Sequence, residues 1–100
     1  MSYDGEGGGV RITASGVVGV SGKPVRIFGY TQRSGSGGVG VVQLFDGTSN
    51  SGNERWAGSG NVSAGAILTF PARGKFFPTG CYCQIDGNVT YVEIDYVQVN

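Results

Sequence analysis

The sequence predicts an all-β fold: a compact antiparallel β-sandwich, jelly-roll-like, with seven or eight short strands. Apolar and polar residues alternate along most of the chain, which is typical of strands that bury one face. Turn-forming residues interrupt this alternation roughly every 8–12 residues, the spacing expected of a sandwich or barrel. Glycine, proline or dense β-branching interrupts every window long enough to form a helix, and no window repeats its apolar residues at helical spacing.

Eight segments carry the strand pattern: residues 10–14, 17–20, 23–33, 39–46, 54–57, 66–70, 80–86 and 89–99. Segment 39–46 has few polar interruptions, so we expect it to be a central strand. Segment 66–70 is predicted to be a buried strand that ends at Pro71. Segment 89–99 is the longest and the richest in β-branched residues, and a tight turn at residues 86–88 joins it to the preceding strand.

Strict alternation within segment 23–33 also predicts the direction of its side chains. Val25 and Ile27 face one side of the sheet, and Tyr30 faces the other. Pro24 stands at the start of this strand, where a missing N–H group does no harm.

The chain divides into a flexible N-terminal arm, residues 1–9, and one β-sandwich domain, residues 10–100. The arm is glycine-rich, polar and without pattern. It lacks the basic start and apolar stretch of a secretion signal, so we expect the protein to fold in a reducing cytosol. A chain of 100 residues has too little apolar surface for a second core.

The composition favours association with other proteins over binding to nucleic acid or membranes. Glycine supplies 20 residues and hydrophobic residues only 39%, which predicts a thin core and a weakly stable monomer. Seven basic side chains balance seven acidic ones, and no basic stripe is available for phosphates. The chain also lacks a basic amphipathic helix and a lipidation signal, so no membrane partner is expected. A homo-oligomer, most simply a trimer, would supply the missing burial.

Enzymatic activity is not predicted. The sequence has no histidine, which removes the commonest general base and metal ligand. Glu93 and Asp95 share one face of a strand at about 7 Å, a separation that inverting glycosidases use. Alternating charge on a solvated sheet face gives the same pattern, and we favour that interpretation.

No metal or cofactor is predicted. Cys81 and Cys83 point to one face of a strand with Cα atoms about 6.6 Å apart, which is poor disulfide geometry and favours buried thiols. Two cysteines without histidine fall short of the four ligands of a structural zinc site. The loop that starts at Asp46 resembles a calcium loop, but Ser51 replaces its glycine and Ala57 replaces its bidentate glutamate.

Four aromatic residues are candidates for a partner interface: Trp56, Phe76, Phe77 and Tyr3. Trp56 lies between two polar loops. Phe76 and Phe77 are adjacent, so in an extended chain one ring fills the core and the other is free to meet a partner. Tyr3 belongs to the arm. The alternative is that these rings only cover the edges of the core.

Two long stretches carry a resemblance to a known group of proteins. They are GKPVRIFGYTQRSGSGGVGVVQLFDGTSNSGNERW, residues 22–56, and LTFPARGKFFPTGCYCQIDGNVTYVEIDY, residues 68–96. Both resemble short proteins of tailed bacteriophages, many from aquatic bacteria, which share a "KP-V-I-G" strand, a strand ending in "L-DGT" and a C-terminal hairpin. The resemblance spans about residues 10–97.

The resemblance implies a capsid decoration or cement protein that binds the major capsid protein on the virion surface. It implies synthesis in the bacterial host cytoplasm and no catalytic residues. The alternative is a carbohydrate-binding or fibre-like β-sandwich module of a phage particle. In that case Trp56 and the polar residues around it, such as Asp46, Asn50 and Glu54, would form a sugar platform.

Overall fold

The computed structural model describes residues 7–35, 39–60, 66–71 and 73–99. Within these residues the chain forms nine strands: β1 (Gly7–Ile12), β2 (Gly16–Val18), β3 (Val25–Ser34), β4 (Gly40–Asp46), β5 (Asn53–Gly60), β6 (Ala66–Thr69), β7 (Lys75–Phe77), β8 (Cys81–Ile85) and β9 (Val89–Gln98). The strands pair antiparallel in two sheets. Sheet A has the order β1-β9-β3-β6, with β7 also paired to β3, and sheet B has the order β2-β8-β4-β5.

The predicted all-β sandwich is confirmed, and the strand order is that of a jelly roll. Most successive strands lie in different sheets, so the connections pass repeatedly from one sheet to the other. Eight of the nine strands coincide with the eight predicted segments. The additional strand is β7, which continues the edge begun by β6: β6 pairs with β3 from Gly29 to Gln32, and β7 pairs with it from Val25 to Ile27.

The predicted boundary of the arm at residue 9 is wrong, because the structure begins β1 at Gly7. Gly7 pairs with Val97 and Gly9 with Asp95, so the end of the predicted arm is a strand beside β9. The long strand β9 offers backbone groups to this segment, and glycine pairs through its backbone like any other residue. Residues 1–6 lie outside the described part of the chain.

Strand β3 contains a register shift that overturns its strict alternation. Ile27 pairs with Tyr96 and Gly29 with Asp95, so Phe28 is an extra residue opposite β9. Such a bulge reverses the alternation of the residues that follow it. Tyr30 is therefore buried on the same face as Val25 and Ile27, and the expectation that it faces away is wrong.

Strand positions decide how far each strand is buried. The predicted central strand β4 lies between β8 and β5, and Val42 and Leu44 are fully buried. The expectation that segment 66–70 is buried holds for one face only: Phe70 is buried and Leu68 packs against the core, whereas Ile67 points to the outer face of sheet A and is 80% exposed. The predicted hairpin turn is confirmed by the Val89 N–H, which donates to the Asp86 carbonyl at 3.1 Å.

Among the described residues, the core between the sheets is apolar except for two buried polar side chains, Gln32 and Ser34. Gln32 Nε2 donates to Ser34 Oγ at 3.2 Å and to the Gly40 carbonyl at 2.9 Å. Gly40 makes this contact possible because it has no Cβ. A Cβ there would lie 2.6 Å from both Ser34 Oγ and Val89 Cγ2, and 2.9 Å from Gln32 Nε2.

We therefore expect Gly40→Ala to lower the free energy of unfolding by about 1–3 kcal/mol, the usual cost of overpacking a core. Gly16→Ala is the matched control, because a Cβ at Gly16 meets nothing within 4 Å. Its unfolding free energy should stay within about 0.5 kcal/mol of the parent value. Chemical denaturation of both variants measures the difference, and equal stabilities would show that the sheets do not approach closely at Gly40.

Candidate interaction surface

The outer face of sheet A collects exposed charged, aromatic and aliphatic side chains from five strands. The strand registers arrange them in rows across the sheet. One row runs from Arg11 through Glu93 and Thr31 to Ile67. The next runs from Gly9 through Asp95 and Gly29 to Thr69, and a further row pairs Val97 with Arg26 and Arg26 with Phe76.

Arg11, Glu93 and Tyr91 form a charged cluster at the β1 side of this face. Arg11 donates to Glu93 Oε2 through Nε at 2.8 Å and through Nη2 at 2.5 Å. The guanidinium carbon also lies 4.0 Å from the centre of the Tyr91 ring. The bond to Glu93 raises the pKa of Arg11 above its ordinary value. Glu93, considered above as half of an acid–base pair, is thus bound to a permanent cation.

Asp95 stands in a groove beside this cluster, between two positions without side chains. Its row neighbours are Gly9 on β1 and Gly29 on β3. The groove has a volume of about 400 Å³ and is lined by Gly9, Val10, Arg11, Glu93 and Asp95. Within the described residues the carboxylate of Asp95 has no ion pair and no hydrogen bond. We call this feature the Asp95 groove.

The adjacent phenylalanines divide between core and surface. Phe77 is fully buried, so it offers no surface to a partner and its assignment to the interface is wrong. Phe76 is half-buried on the outer face of sheet A, with the Arg26 guanidinium carbon 4.9 Å from its ring centre. The expectation that one ring fills the core and the other stays outside is met.

Trp56 covers an edge of the core, as the alternative interpretation of the aromatic residues expects. Its Nε1–H donates to the Tyr30 hydroxyl at 2.8 Å, and its ring meets Phe70 edge-on at 5.3 Å. The ring is half-buried, and its polar atom is bound to Tyr30. Tyr3 lies outside the described residues.

The two cysteines are free and buried in the core, which confirms the prediction of buried thiols. Burial raises the pKa of Cys83 to about 12. The pKa of Cys81 is also raised, mainly by burial and further by the nearby Cys83 and Asp46. Both thiols are therefore protonated at neutral pH, and neither is a nucleophile there.

Asp46, the first residue of the loop that resembles a calcium site, is held by Thr79 from the turn before β8. Asp46 Oδ1 accepts from the Thr79 backbone N–H at 3.1 Å and from Thr79 Oγ1–H at 2.8 Å. Across the described residues, no three His, Cys, Asp or Glu side chains converge as a metal site requires. A search of the same residues finds no helix with the length and apolarity to cross a bilayer.

The outer face of sheet B differs from that of sheet A, because a chain of amide hydrogen bonds runs across it. Asn50 Nδ2 donates to Gln84 Oε1 at 2.8 Å, and Gln84 Nε2 donates to Gln43 Oε1 at 3.0 Å. Gln43 Nε2 then donates to Glu54 Oε2 at 2.9 Å. These polar groups bind one another, whereas Asp95 and Ile67 on sheet A have open surface.

Comparison of the chain with protein-family models, with curated proteins and with solved structures gives no match. The assignment of a function therefore depends on the surface described above and on the motifs in the sequence.

Sequence reasoning missed Arg11, Asp95 as a groove residue, and Ile67. Alternation in segment 10–14 already directs Arg11 outward, but its partner Glu93 is 82 residues away in the chain. The apolar run at 66–70 predicts a buried strand, because such a run does not reveal that one face of the strand is left uncovered.

The buried thiols predict a loss of stability at alkaline pH. A thiol in the unfolded chain ionises near its ordinary pKa of about 8.5, whereas the folded thiols stay protonated to higher pH. The unfolded state then holds fewer protons, so the unfolding free energy falls as pH rises from about 8.5 toward 12, by up to about 1.4 kcal/mol per pH unit and thiol. Denaturant titrations at several pH values measure this slope.

Cys83→Ala supplies the control, because it removes one of the two thiols. Between about pH 8.5 and pH 10, the unfolding free energy of this variant should fall less steeply with pH than that of the parent. Burial also raises the pKa of Tyr30, but this group lowers the unfolding free energy only above about pH 10, where the tyrosine of the unfolded chain ionises. Identical slopes for parent and variant would contradict the burial of the Cys83 thiol.

Proposed function

We propose that this chain is a non-enzymatic structural protein of a tailed bacteriophage, a decoration or cement protein that binds the assembled head through the major capsid protein. The observation that carries the proposal is the outer face of sheet A, with its exposed Ile67, its half-buried Phe76 and its open Asp95 groove. The reactive groups of the described chain are engaged elsewhere: the thiols are buried and Glu93 is bound to Arg11.

Ile67 is the best single candidate for contact with the shell. It is 80% exposed on the end strand β6, and it stands on the same outer face as Phe76. Large exposed aliphatic and aromatic side chains on one face of a small domain mark surfaces that bind other proteins. The resemblance of residues 22–56 and 68–96 to short proteins of tailed bacteriophages is the reason for proposing the major capsid protein as the partner.

The jelly-roll topology is compatible with this function, since viral capsid domains use it, but lectin domains use it as well. Topology alone therefore does not choose between the cement proposal and the carbohydrate-binding alternative. The environment of Trp56 favours the cement proposal. The carbohydrate-binding alternative needs this ring as a sugar platform, but the ring packs on Phe70 and its Nε1–H donates to Tyr30.

A cement protein stabilises the particle by linkage, because it binds the assembled shell and not the separate subunits. Particles that lack this chain should therefore burst at lower temperature, and under milder osmotic shock, than complete particles. Adding the purified chain back should restore their resistance. Particles that are equally robust without the chain would remove the cement proposal and favour the fibre or sugar-binding alternative.

Ile67→Asp should weaken attachment to the shell by about tenfold or more, as loss of a central apolar contact does. The chain should still fold, because the Ile67 side chain is 80% exposed. Val20→Asp is the matched control: Val20 is another exposed aliphatic residue, 55% accessible, in the turn after β2. Co-sedimentation with particles that lack the chain measures how strongly each of the two variants attaches to the shell. Equal attachment of the two variants would contradict a role for Ile67.

A further inference from the structure

The sequence contains three Asp-Gly dipeptides, a pair of residues that can react with each other without an enzyme. They are Asp4-Gly5, Asp46-Gly47 and Asp86-Gly87. The backbone nitrogen of the glycine can attack the side-chain carboxyl carbon of the preceding aspartate, because no Cβ shields that nitrogen. Asp4-Gly5 lies outside the described residues, so the structure distinguishes the other two pairs.

The Asp46-Gly47 pair is held by partners on both reacting groups. The Gly47 N–H donates to the carbonyl of Gly80, the residue before β8, at 2.9 Å. Asp46 Oδ1 accepts two hydrogen bonds from Thr79. Gly47 also has a φ of 134°, in the left-handed region. These hydrogen bonds must break before the nitrogen and the carboxyl carbon can meet.

The Asp86-Gly87 pair stands in the exposed turn between β8 and β9. Within the described residues the Gly87 N–H has no hydrogen-bond partner. Gly87 has no positive φ, and a Cβ there would meet nothing within 4 Å, so the backbone does not require glycine at this position. The attacking nitrogen is therefore both unbound and unshielded.

The N–H of Asn88 prepares the Asp86 carboxyl for attack. It donates to Asp86 Oδ1 at 3.0 Å, which holds the carboxyl over the backbone that follows it. The Val89 N–H closes the same turn on the Asp86 carbonyl at 3.1 Å. Negative charge grows on a carboxyl oxygen when its carbon is attacked, and a donor already aimed at that oxygen stabilises the charge. The turn thus keeps the reacting groups together and supplies this donor.

We propose that Asp86 is a self-modification site, at which the folded chain converts aspartate to isoaspartate. The Gly87 nitrogen forms a bond to Cγ of the protonated Asp86 carboxyl, and the amide proton and the carboxyl hydroxyl leave together as water. The product is a cyclic succinimide, and addition of water breaks one of its two imide C–N bonds. Cleavage at Cγ restores aspartate, whereas cleavage at the main-chain carbonyl leaves the backbone running through Cγ. Solvent water is the only co-reactant, and the mass is unchanged.

Isomerisation would disturb the contacts that this turn makes with neighbouring segments. The Asp86 N–H donates to the Val41 carbonyl at 3.3 Å, and the Asn88 carbonyl accepts from the Gly35 N–H at 2.8 Å. The next residue, Val89, is buried in the core. An isoaspartate lengthens the main chain of the turn by one carbon, so these groups cannot all keep their positions. The isomerised chain is therefore less stable than the parent. This property belongs to the turn alone and does not depend on the cement proposal.

Tryptic mapping of the full chain after incubation measures the reaction at each pair. Trypsin separates the three pairs into peptides 1–11, 34–55 and 76–100. In the folded protein, isoaspartate at Asp86 should accumulate at least about tenfold faster than at Asp46. In denaturant the two rates should become similar, because the hydrogen bonds that hold Asp46 and Gly47 are lost. Equal rates in the folded protein would overturn the proposal, as would no isoaspartate at Asp86 after the denatured chain has converted.

The pH dependence follows from the leaving group. The hydroxyl departs as water from the protonated carboxyl, and an aspartate ordinarily has a pKa of about 3.9. Conversion at Asp86 should therefore be faster at about pH 5 than at about pH 8, where the carboxyl is almost fully ionised. A rate that rises with pH over this range would contradict the proposed step.

Gly87→Ala is the matched variant. It should fold, because the new Cβ has open space and the backbone φ is not positive. The methyl group shields the nitrogen, so conversion at Asp86 should slow by about tenfold or more while the rate at Asp46 stays unchanged. After incubation the parent, but not the variant, should unfold at lower denaturant concentration. Equal conversion at Asp86 in both chains, or an isomerised parent with an unchanged midpoint, would overturn the proposal.

Discussion

The register shift between Ile27 and Gly29 decides which side chains of β3 reach the core, and the rest of the sandwich depends on it. Before the shift Val25 and Ile27 point inward, and after it Tyr30, Gln32 and Ser34 do so. Tyr30 then reaches Trp56 of sheet B, and the Gln32 amide reaches the Gly40 carbonyl of β4. The bulge thus lets one long strand supply apolar packing at one end and the polar contacts between the sheets at the other.

The same shift arranges the outer face of sheet A. Because Phe28 is the extra residue, Gly29 returns to register opposite Asp95, and Thr31 comes opposite Glu93. Asp95 therefore has glycine on both sides, which opens the groove, while Glu93 is held by Arg11 from β1. The glycine-rich composition predicts a thin core and a weakly stable free monomer. The exposed Ile67 and the carboxylate of Asp95, which has no ion pair within the described residues, are a structural basis for adding contacts from neighbouring molecules.

Local patterns in the sequence were sufficient for the sandwich, for eight strand segments and for the buried thiols of Cys81 and Cys83. The failures share a physical cause, because each concerns long-range pairing. Alternation alone cannot reveal a bulge, so Tyr30 was placed on the wrong face. An apolar run does not show whether both faces of its strand are covered, so segment 66–70 is predicted to be buried although Ile67 is exposed. The Arg11–Glu93 pair joins residues 82 positions apart, and local periodicity carries no information on that register.

A reconstruction by electron microscopy of a purified phage particle that contains this chain tests most directly whether the protein associates through sheet A. The predicted result is a two-sheet density on the head surface, in which the outer face of sheet A around Ile67 contacts neighbouring proteins. The amide chain from Asn50 to Glu54 on sheet B should then face solvent. Density elsewhere in the particle, or contacts made through the outer face of sheet B instead, would contradict the account.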